Sequence, residues 1–423
     1  MKVLYVVHAN IWNEYSGTPL IAEQYAKESI NKGCEACIIT PTFDNFDFQN
    51  QKLKKINNIS YLNWPGLKNW NIDAFIGIKS SKNQLFKIPF TPDIIHILDW
   101  VNIDPSILKT LKKFNVPIIK HVFNFEDFCY FISPIYKKKD NSYCNAPLSA
   151  DDCANCISHN RFKNQKVLRK LKNIFFNEKK KLKNILKEKL LSRNKIVVDH
   201  IKNYYDHLVF PSKSFADYYF SHANTVKKNS IIPHGINTNF KNIEKKNSTT
   251  LKFIYTGGVS IRKGWKVIED VFYRICSEKN NKFELRIYGD KNKTKKSKLK
   301  KFSNIKFFDS FNPKEINNVM QWADVGIAPS FFETYSRIVR EYINYNIVPI
   351  STNAFGVSDI IKNNHNGIII NEPYSENLFL IIKQILNDPK ILNNLRSEMS
   401  LSKIVSTEKE FNEIFNLYKN LSN

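Results

Sequence analysis

Two glutamates frame one short run in the C-terminal third of the chain. Glu333 is followed by Thr334, Tyr335 and Ser336. Glu341 lies within a helical pattern made by Ile338, Val339, Tyr342 and Ile343. Thr334 and Ser336 are residue types that cap helix starts. Just ahead, residues 324–330 form a short apolar run bounded by Asp324 and Pro329, the pattern of a buried strand. A helix opening directly after a buried strand presents free N–H groups and the positive end of its dipole, which suits phosphate. At 3.6 residues per turn, two carboxylates eight residues apart differ by about 80° and stand roughly 10 Å apart along the axis. They are not a side-by-side pair acting on one atom. They suit two parts of an elongated ligand, a phosphate with a polyol on each side, which describes a nucleotide-sugar. A plainer reading stays open: Glu at a helix start serves the dipole, and a mid-helix Glu is solvated.

A second cluster lies about seventy residues earlier. Gly257 and Gly258 follow the apolar run 251–255, and Arg262 and Lys263 follow them, before Gly264. Glycines after a strand let backbone approach a phosphate, and the two cations add positive charge there. The alternative for Arg262 and Lys263 is a solvated turn.

These residues carry a family resemblance. The stretch from Glu333 to Glu341 resembles the E-x7-E signature of the group 1 (family 4) retaining glycosyltransferases, which have the GT-B fold. Residues 257–264 resemble that family's G-x-x-S-x-R-K-G loop. Residues 231–237, Ile-Ile-Pro-His-Gly-Ile-Asn, resemble its interdomain crossing. The resemblance implies that Arg262 and Lys263 neutralise a departing diphosphate, that Glu333 contacts sugar hydroxyls, and that Glu341 contacts ribose hydroxyls. It gives Glu333, Arg262 and Lys263 catalytic roles. It places Gly257, Gly258, Thr334, Tyr335 and Ser336 around a UDP- or GDP-type sugar, with no further cofactor and no catalytic metal required.

The elements that must position these groups read as α/β. Strand–loop–helix–strand order over residues 2–40, with Gly33 as a helix stop, is the βαβ pattern of a parallel sheet. Further buried strands are expected at 93–98 and 117–123, and a second set begins at 251. The expected architecture is GT-B: two doubly wound Rossmann-like domains facing a cleft. Residues 1–235 form an acceptor-side domain with a Cys cluster and basic helical insert at 125–200. Residues 236–405 form the nucleotide-sugar domain, and a helix in 406–423 crosses back. Ligands of open α/β sheets bind beyond the carboxyl ends of strands, so Asp99, Glu126 and Asp127 are candidates for the acceptor side. Gly17 joins them by resemblance, although Ser16-Gly17 replaces the family's two adjacent glycines. Asn124 with Glu126 and Asp127 stands where the family often has a His-Asp pair. Asn346 and the stretch 354–359, with one glycine and Asp359, replace further family glycines and a Glu. His96 and His121 lie inside apolar runs and read as core histidines.

Composition bounds the rest. The chain has 423 residues, 42% hydrophobic and 24% charged, enough for two domains with cores. No apolar run is long enough to span a bilayer, and the N-terminus reads as a strand rather than a signal. Seven cysteines without a secretory signal point to a reducing compartment, so a cytoplasmic location is expected. Cys144, Cys153, Cys156 and His159 are candidates for a structural zinc, against packing thiols as the alternative.

The net charge is +25, and residues 161–195 hold fourteen Lys or Arg against two acids. Leu182, Ile185, Leu186 and Leu190 are spaced as one apolar face within that run. A basic amphipathic helix suits an anionic membrane surface, which would place the protein peripherally at the inner face; the alternative is an ordinary surface helix. Nucleic acid is not expected, because aromatic interleaving and known motif frames are missing.

The expectation is therefore a hexosyltransferase-type enzyme (EC 2.4) that moves a sugar to a glycan or lipid-linked acceptor, in surface polysaccharide assembly by family habit. Its rivals are an epimerase or phosphorylase on the same fold, or a non-catalytic basic protein at membranes.

Overall fold

The computed structural model describes residues 1–9, 17–42, 53–65, 88–99, 103, 107–129, 144, 149–163, 174–238, 250–278, 282–312, 315–372, 374–401 and 404–422. The chain divides into two compact units. Unit 1 comprises Met1–Ile232 and Phe411–Asn423, and unit 2 comprises Pro233–Glu410.

Among the described residues, unit 1 holds an eight-stranded sheet. Its strands are β1 (Lys2–Val6), β2 (Glu35–Thr42), β3 (Lys54–Ile56), β4 (Ile59–Pro65), β5 (Ile94–Ile97), β6 (Ile118–His121), β7 (His207–Phe210) and β8 (Asn229–Ile231). They lie in the order β3-β4-β2-β1-β5-β6-β7-β8. All pairs are parallel except β3 with β4. Parallel strands covered on both faces need continuous apolar runs, and Val3, Leu4, Tyr5 and Val6 are all fully buried. The helix Gly17–Asn31 lays Ala22, Tyr25 and Ala26 on the sheet, three and four residues apart. Phe411, Ile414 and Tyr418 of the helix Thr407–Ser422 belong to this same core.

Unit 2 holds a six-stranded sheet: β9 (Leu251–Tyr255), β10 (Phe283–Tyr288), β11 (Ile305–Phe308), β12 (Val325–Ala328), β13 (Val348–Thr352) and β14 (Ile368–Ile370). Every pair is parallel, in the order β11-β10-β9-β12-β13-β14. The helix Trp265–Ser277 buries Val267, Ile268, Val271, Phe272 and Ile275, a stripe that packs on Phe253, Phe283 and Leu285. Asn346, at φ 57°, takes the left-handed turn between the helix Arg337–Asn344 and β13. Asparagine tolerates that conformation better than most side chains.

Both sheets are wound from the middle. Strand order reverses between β1 and β5 in unit 1 and between β9 and β12 in unit 2. Loops leaving the carboxyl ends of the strands at such a reversal diverge and leave a crevice for ligand.

Candidate functional site

In unit 2 the loops after β9 and β12 meet at this reversal. The loop after β9 is folded tightly on itself. The Tyr255 hydroxyl reaches the carbonyls of Gly258 at 2.9 Å and Lys263 at 3.2 Å. A Cβ at residue 257 would lie 2.4 Å from the Tyr255 hydroxyl and 2.8 Å from Lys263 Cβ, so only glycine permits this closure. Gly264, at φ 79°, opens the helix Trp265–Ser277; a Cβ there would lie 2.1 Å from the Pro329 carbonyl oxygen. The Phe331 N–H donates to the Arg262 carbonyl at 2.8 Å. The glycine loop is thereby pressed against the chain leaving β12.

This packing brings Lys263 to Glu333, with Nζ 2.6 Å from Oε1. Burial pushes the Glu333 carboxyl up. Lys263, Arg262 and the hydrogen bonds from Lys263 and Ser330 outweigh burial and hold it below the usual carboxylate value. Glu341 lies in the second turn of the helix Arg337–Asn344, with Oε1 3.1 Å from Arg337 Nε. Its carboxyl is raised by burial, against the attraction of Arg337 and, more weakly, Lys263. Lys263 therefore acts on both glutamates.

The helix start differs from the expectation. Ser336 occupies the N-cap position, but at φ 54° and ψ 61° its side chain makes no cap bond, and its buried Oγ has no hydrogen-bond partner. A serine capping its own helix needs extended backbone. Here the backbone is left-handed, and the hydroxyl is left unused beside the first N–H groups of the helix. Thr334 and Tyr335 connect Glu333 to this start. An anion at this point would meet Lys263, Arg262 and the helix end together.

In unit 1, Gly17 begins its helix at φ 55°; residues 10–16 lie outside the described residues. Asp99 follows β5 at the strand-order reversal and grips His8, which follows β1. One carboxylate oxygen accepts the His8 N–H at 2.8 Å, and the other lies 2.6 Å from His8 Nδ1. Sequence reasoning missed His8, because the 91-residue separation of the partners hides the pairing. The only signal available was its place at a strand's carboxyl end.

Glu126 and Asp127 are placed differently from the expectation. Both are buried inside unit 1. Lys120 Nζ lies 2.6 Å from Glu126 and 3.5 Å from Asp127, and Asp127 Oδ2 accepts from Tyr219 at 2.6 Å. Arg193 donates to the carbonyls of Glu126 and Asp127. Buried carboxylates need such partners, and once paired they fix the turn after β6 rather than face solvent.

The cysteines are free thiols. Burial first, then the neighbouring Cys144 and Cys156, push the Cys153 thiol up to about 12. Among the described residues no group of three or more His, Cys, Asp or Glu side chains is arranged to hold a metal ion. The His159 side chain lies outside the described residues. Of the expected basic apolar face, Leu186 and Leu190 pack on Ala154 and Ile157, while Ile185 points outward; the Leu182 side chain is outside the described residues. No helix among the described residues is long and apolar enough to cross a membrane.

Two parallel, centre-wound α/β units are the architecture of the GT-B glycosyltransferases, and solved structures agree over the whole chain. Sucrose-phosphate synthase from Thermosynechococcus elongatus is 12% identical, with 99% of this chain and 98% of that one covered at a TM-score of 0.63. HepE from Anabaena, solved in complex with UDP and glucose, is 12% identical, with all of both chains covered at a TM-score of 0.63. A glycosyltransferase from Rickettsia africae is 15% identical, with 99% of this chain and 98% of that one covered at a TM-score of 0.61. Among curated proteins, none matches the sequence. Residues 237–400 match the family model for glycosyl transferases, group 1. That stretch lies within unit 2 and carries the sequence pattern of a group 1 glycosyl transferase domain.

Proposed function

We propose that the chain is a retaining transferase that moves a sugar from a nucleotide-diphosphate sugar to a glycan or lipid-linked acceptor, in surface polysaccharide or glycoconjugate assembly. The observation that carries this reading is the contact of Lys263 with Glu333 beside Arg262 at the strand-order reversal of unit 2. As the bond between the anomeric carbon and the diphosphate breaks, its electron pair leaves with the phosphate oxygen, the acceptor hydroxyl oxygen bonds the anomeric carbon on the same face, and the hydroxyl proton passes to the departing phosphate. Lys263, Arg262 and the N–H groups at the start of the helix Arg337–Asn344 stabilise that charge. The Glu333 carboxylate, kept ionised by the two cations, accepts hydrogen bonds from sugar hydroxyls. Glu341 takes the ribose hydroxyls. A UDP-type donor is the first choice, because the structurally similar HepE was solved with UDP and glucose. The residues in roles are catalytic Glu333, Arg262 and Lys263, with Gly257, Gly258, Thr334, Tyr335, Ser336 and Glu341 around the donor.

The acceptor is assigned to unit 1, where His8 and Asp99 stand at the other strand-order reversal. Lysines of the helix Ile174–Asn203 suit an anionic membrane surface at the cytoplasmic face, which liposome flotation with and without acidic lipid checks.

The test is to supply UDP- and GDP-sugars with a panel of glycan and lipid-linked acceptors and to read the product's anomeric configuration by NMR. Transfer with the donor's configuration is expected. An inverted product contradicts retention, and conversion of the donor to another sugar without any acceptor contradicts transfer and points to an epimerase.

A further inference from the structure

One buried arginine has no part in the roles given so far. Arg340 lies in the first turns of the helix Arg337–Asn344 and is almost wholly buried. Its Nη1 donates to the Tyr335 carbonyl, and its Nη2 donates to the Gly356 carbonyl at 2.9 Å. The guanidinium carbon stands 3.5 Å from the centre of the Tyr335 ring. The same ring meets His234 edge-on at 5.3 Å, and His234 Nδ1 lies 3.0 Å from Glu410. Tyr335 is thus gripped at its carbonyl by Arg340 and on its ring by Arg340 and His234.

The residue after Tyr335 is the anomaly of the site. Ser336 is a non-glycine residue in left-handed conformation, its buried hydroxyl pairs with nothing, and it directly precedes the helix start. Left-handed backbone is costly for a side chain with a Cβ, and it persists only where surroundings over-determine it. The peptide between Tyr335 and Ser336 is the one whose carbonyl Arg340 holds. Turning that peptide would break the Arg340 bond and re-aim the first N–H groups of the helix. The second carbonyl belongs to the loop after β13, where Gly356 sits at φ 75°. Thr352, the last residue of β13, also donates through Oγ1 to the Ser330 carbonyl at 2.5 Å, so the chain leaving β12 is tied a second time.

We infer that Arg340 is a positioning residue for the donor: one guanidinium, forked between the Tyr335 and Gly356 carbonyls, locks Ser336 in left-handed conformation and so aims the helix start at the diphosphate. The planar fork serves two carbonyls at once, which a lysine ammonium on a flexible stem does not. This rests on the donor-site reading above, but the lock itself does not need a ligand to be seen.

The experiment compares the wild-type chain with Arg340→Met and Arg340→Lys, each with Ser336 intact and with Ser336→Gly. Two readouts are taken: amide hydrogen exchange in the segment 330–341 without ligand, and calorimetric affinity for UDP and GDP. With Ser336 intact, both Arg340 variants should exchange at least tenfold faster in that segment and bind the preferred nucleotide at least tenfold more weakly. In the Ser336→Gly background the same Arg340 substitutions should cost much less, because glycine adopts the left-handed conformation unaided. Equal costs in both backgrounds overturn the inference, as does wild-type behaviour of Arg340→Lys. If the wild-type chain binds neither nucleotide, the donor reading fails, while the exchange result still decides for or against the lock.

Discussion

The Lys263 ammonium sits 2.6 Å from the Glu333 carboxylate, across a sequence gap of seventy residues that the folded loops close. The pair joins the glycine loop after β9 to the helix-start loop after β12. In the proposed reaction it has two duties: Glu333 holds the sugar, and Lys263 receives the charge that develops as the sugar leaves. Lys263→Ala should therefore lower kcat by roughly 10²-fold or more, in line with other lost charge-stabilising groups at transition states. Steady-state rates on a working donor check this, and a wild-type kcat would contradict the role given to Lys263.

The closeness of the two loops gives a stability prediction. Gly264→Ala places a Cβ on the Pro329 carbonyl at φ 79°, where both the space and the backbone forbid it. A cost of about 2 kcal/mol or more is expected, together with weaker nucleotide binding. Gly33→Ala is the control. Its φ is 78°, yet nothing lies within 4 Å of the added Cβ, so only the backbone term of about 1 kcal/mol applies. Urea unfolding of the two variants should separate them, and equal losses would mean the Pro329 contact is unimportant.

Much of the fold was legible because its signals are local. The apolar run at Val3–Val6, the helix stripe at Val267, Ile268 and Val271, and the left-handed Asn346 each announce themselves within a few residues. The glycine loop after β9 and the run from Glu333 to Glu341 were legible as motifs. What escaped were partners that only folding brings together: His8 with Asp99, the Tyr255 hydroxyl with the Lys263 carbonyl, and Arg340 with the Gly356 carbonyl. Glu126 and Asp127 were placed toward ligand because acidic residues after a strand commonly are. Lys120, an uncommon charge inside an apolar strand, was the sign that they would be paired within the core.

His96 gives a pH prediction. It is fully buried against Tyr418, whose hydroxyl is 2.6 Å from Nδ1, and burial lowers its pKa from 6.5 to about 3. The folded chain then binds fewer protons at this site than the unfolded chain between those two values. Stability is complete above the unfolded value and is lost as pH falls from about 6.5 toward 3. The slope from this residue is about 1.4 kcal/mol per pH unit in that window. Denaturant unfolding at pH 7, 6 and 5 should show a shallower acid-side loss for His96→Asn than for the wild-type chain. Identical slopes would contradict the assignment.

The His8–Asp99 grip gives a prediction for the second substrate. An imidazole held at Nδ1 by a carboxylate is fixed in orientation. Asp99→Asn should raise the KM for acceptor by about tenfold, the worth of one good hydrogen bond, and leave nucleotide affinity unchanged. Loss of nucleotide affinity instead would move His8 and Asp99 out of the acceptor's site.

The most direct test of the account is calorimetric titration of the full chain with UDP and with GDP, beside the Arg262→Ala/Lys263→Ala double variant. One of the nucleotides should bind the wild-type chain, and removing both cations should weaken that binding by 10²-fold or more. Absence of binding by either nucleotide, or equal binding by the variant, would contradict a diphosphate held between these cations and the start of the helix Arg337–Asn344.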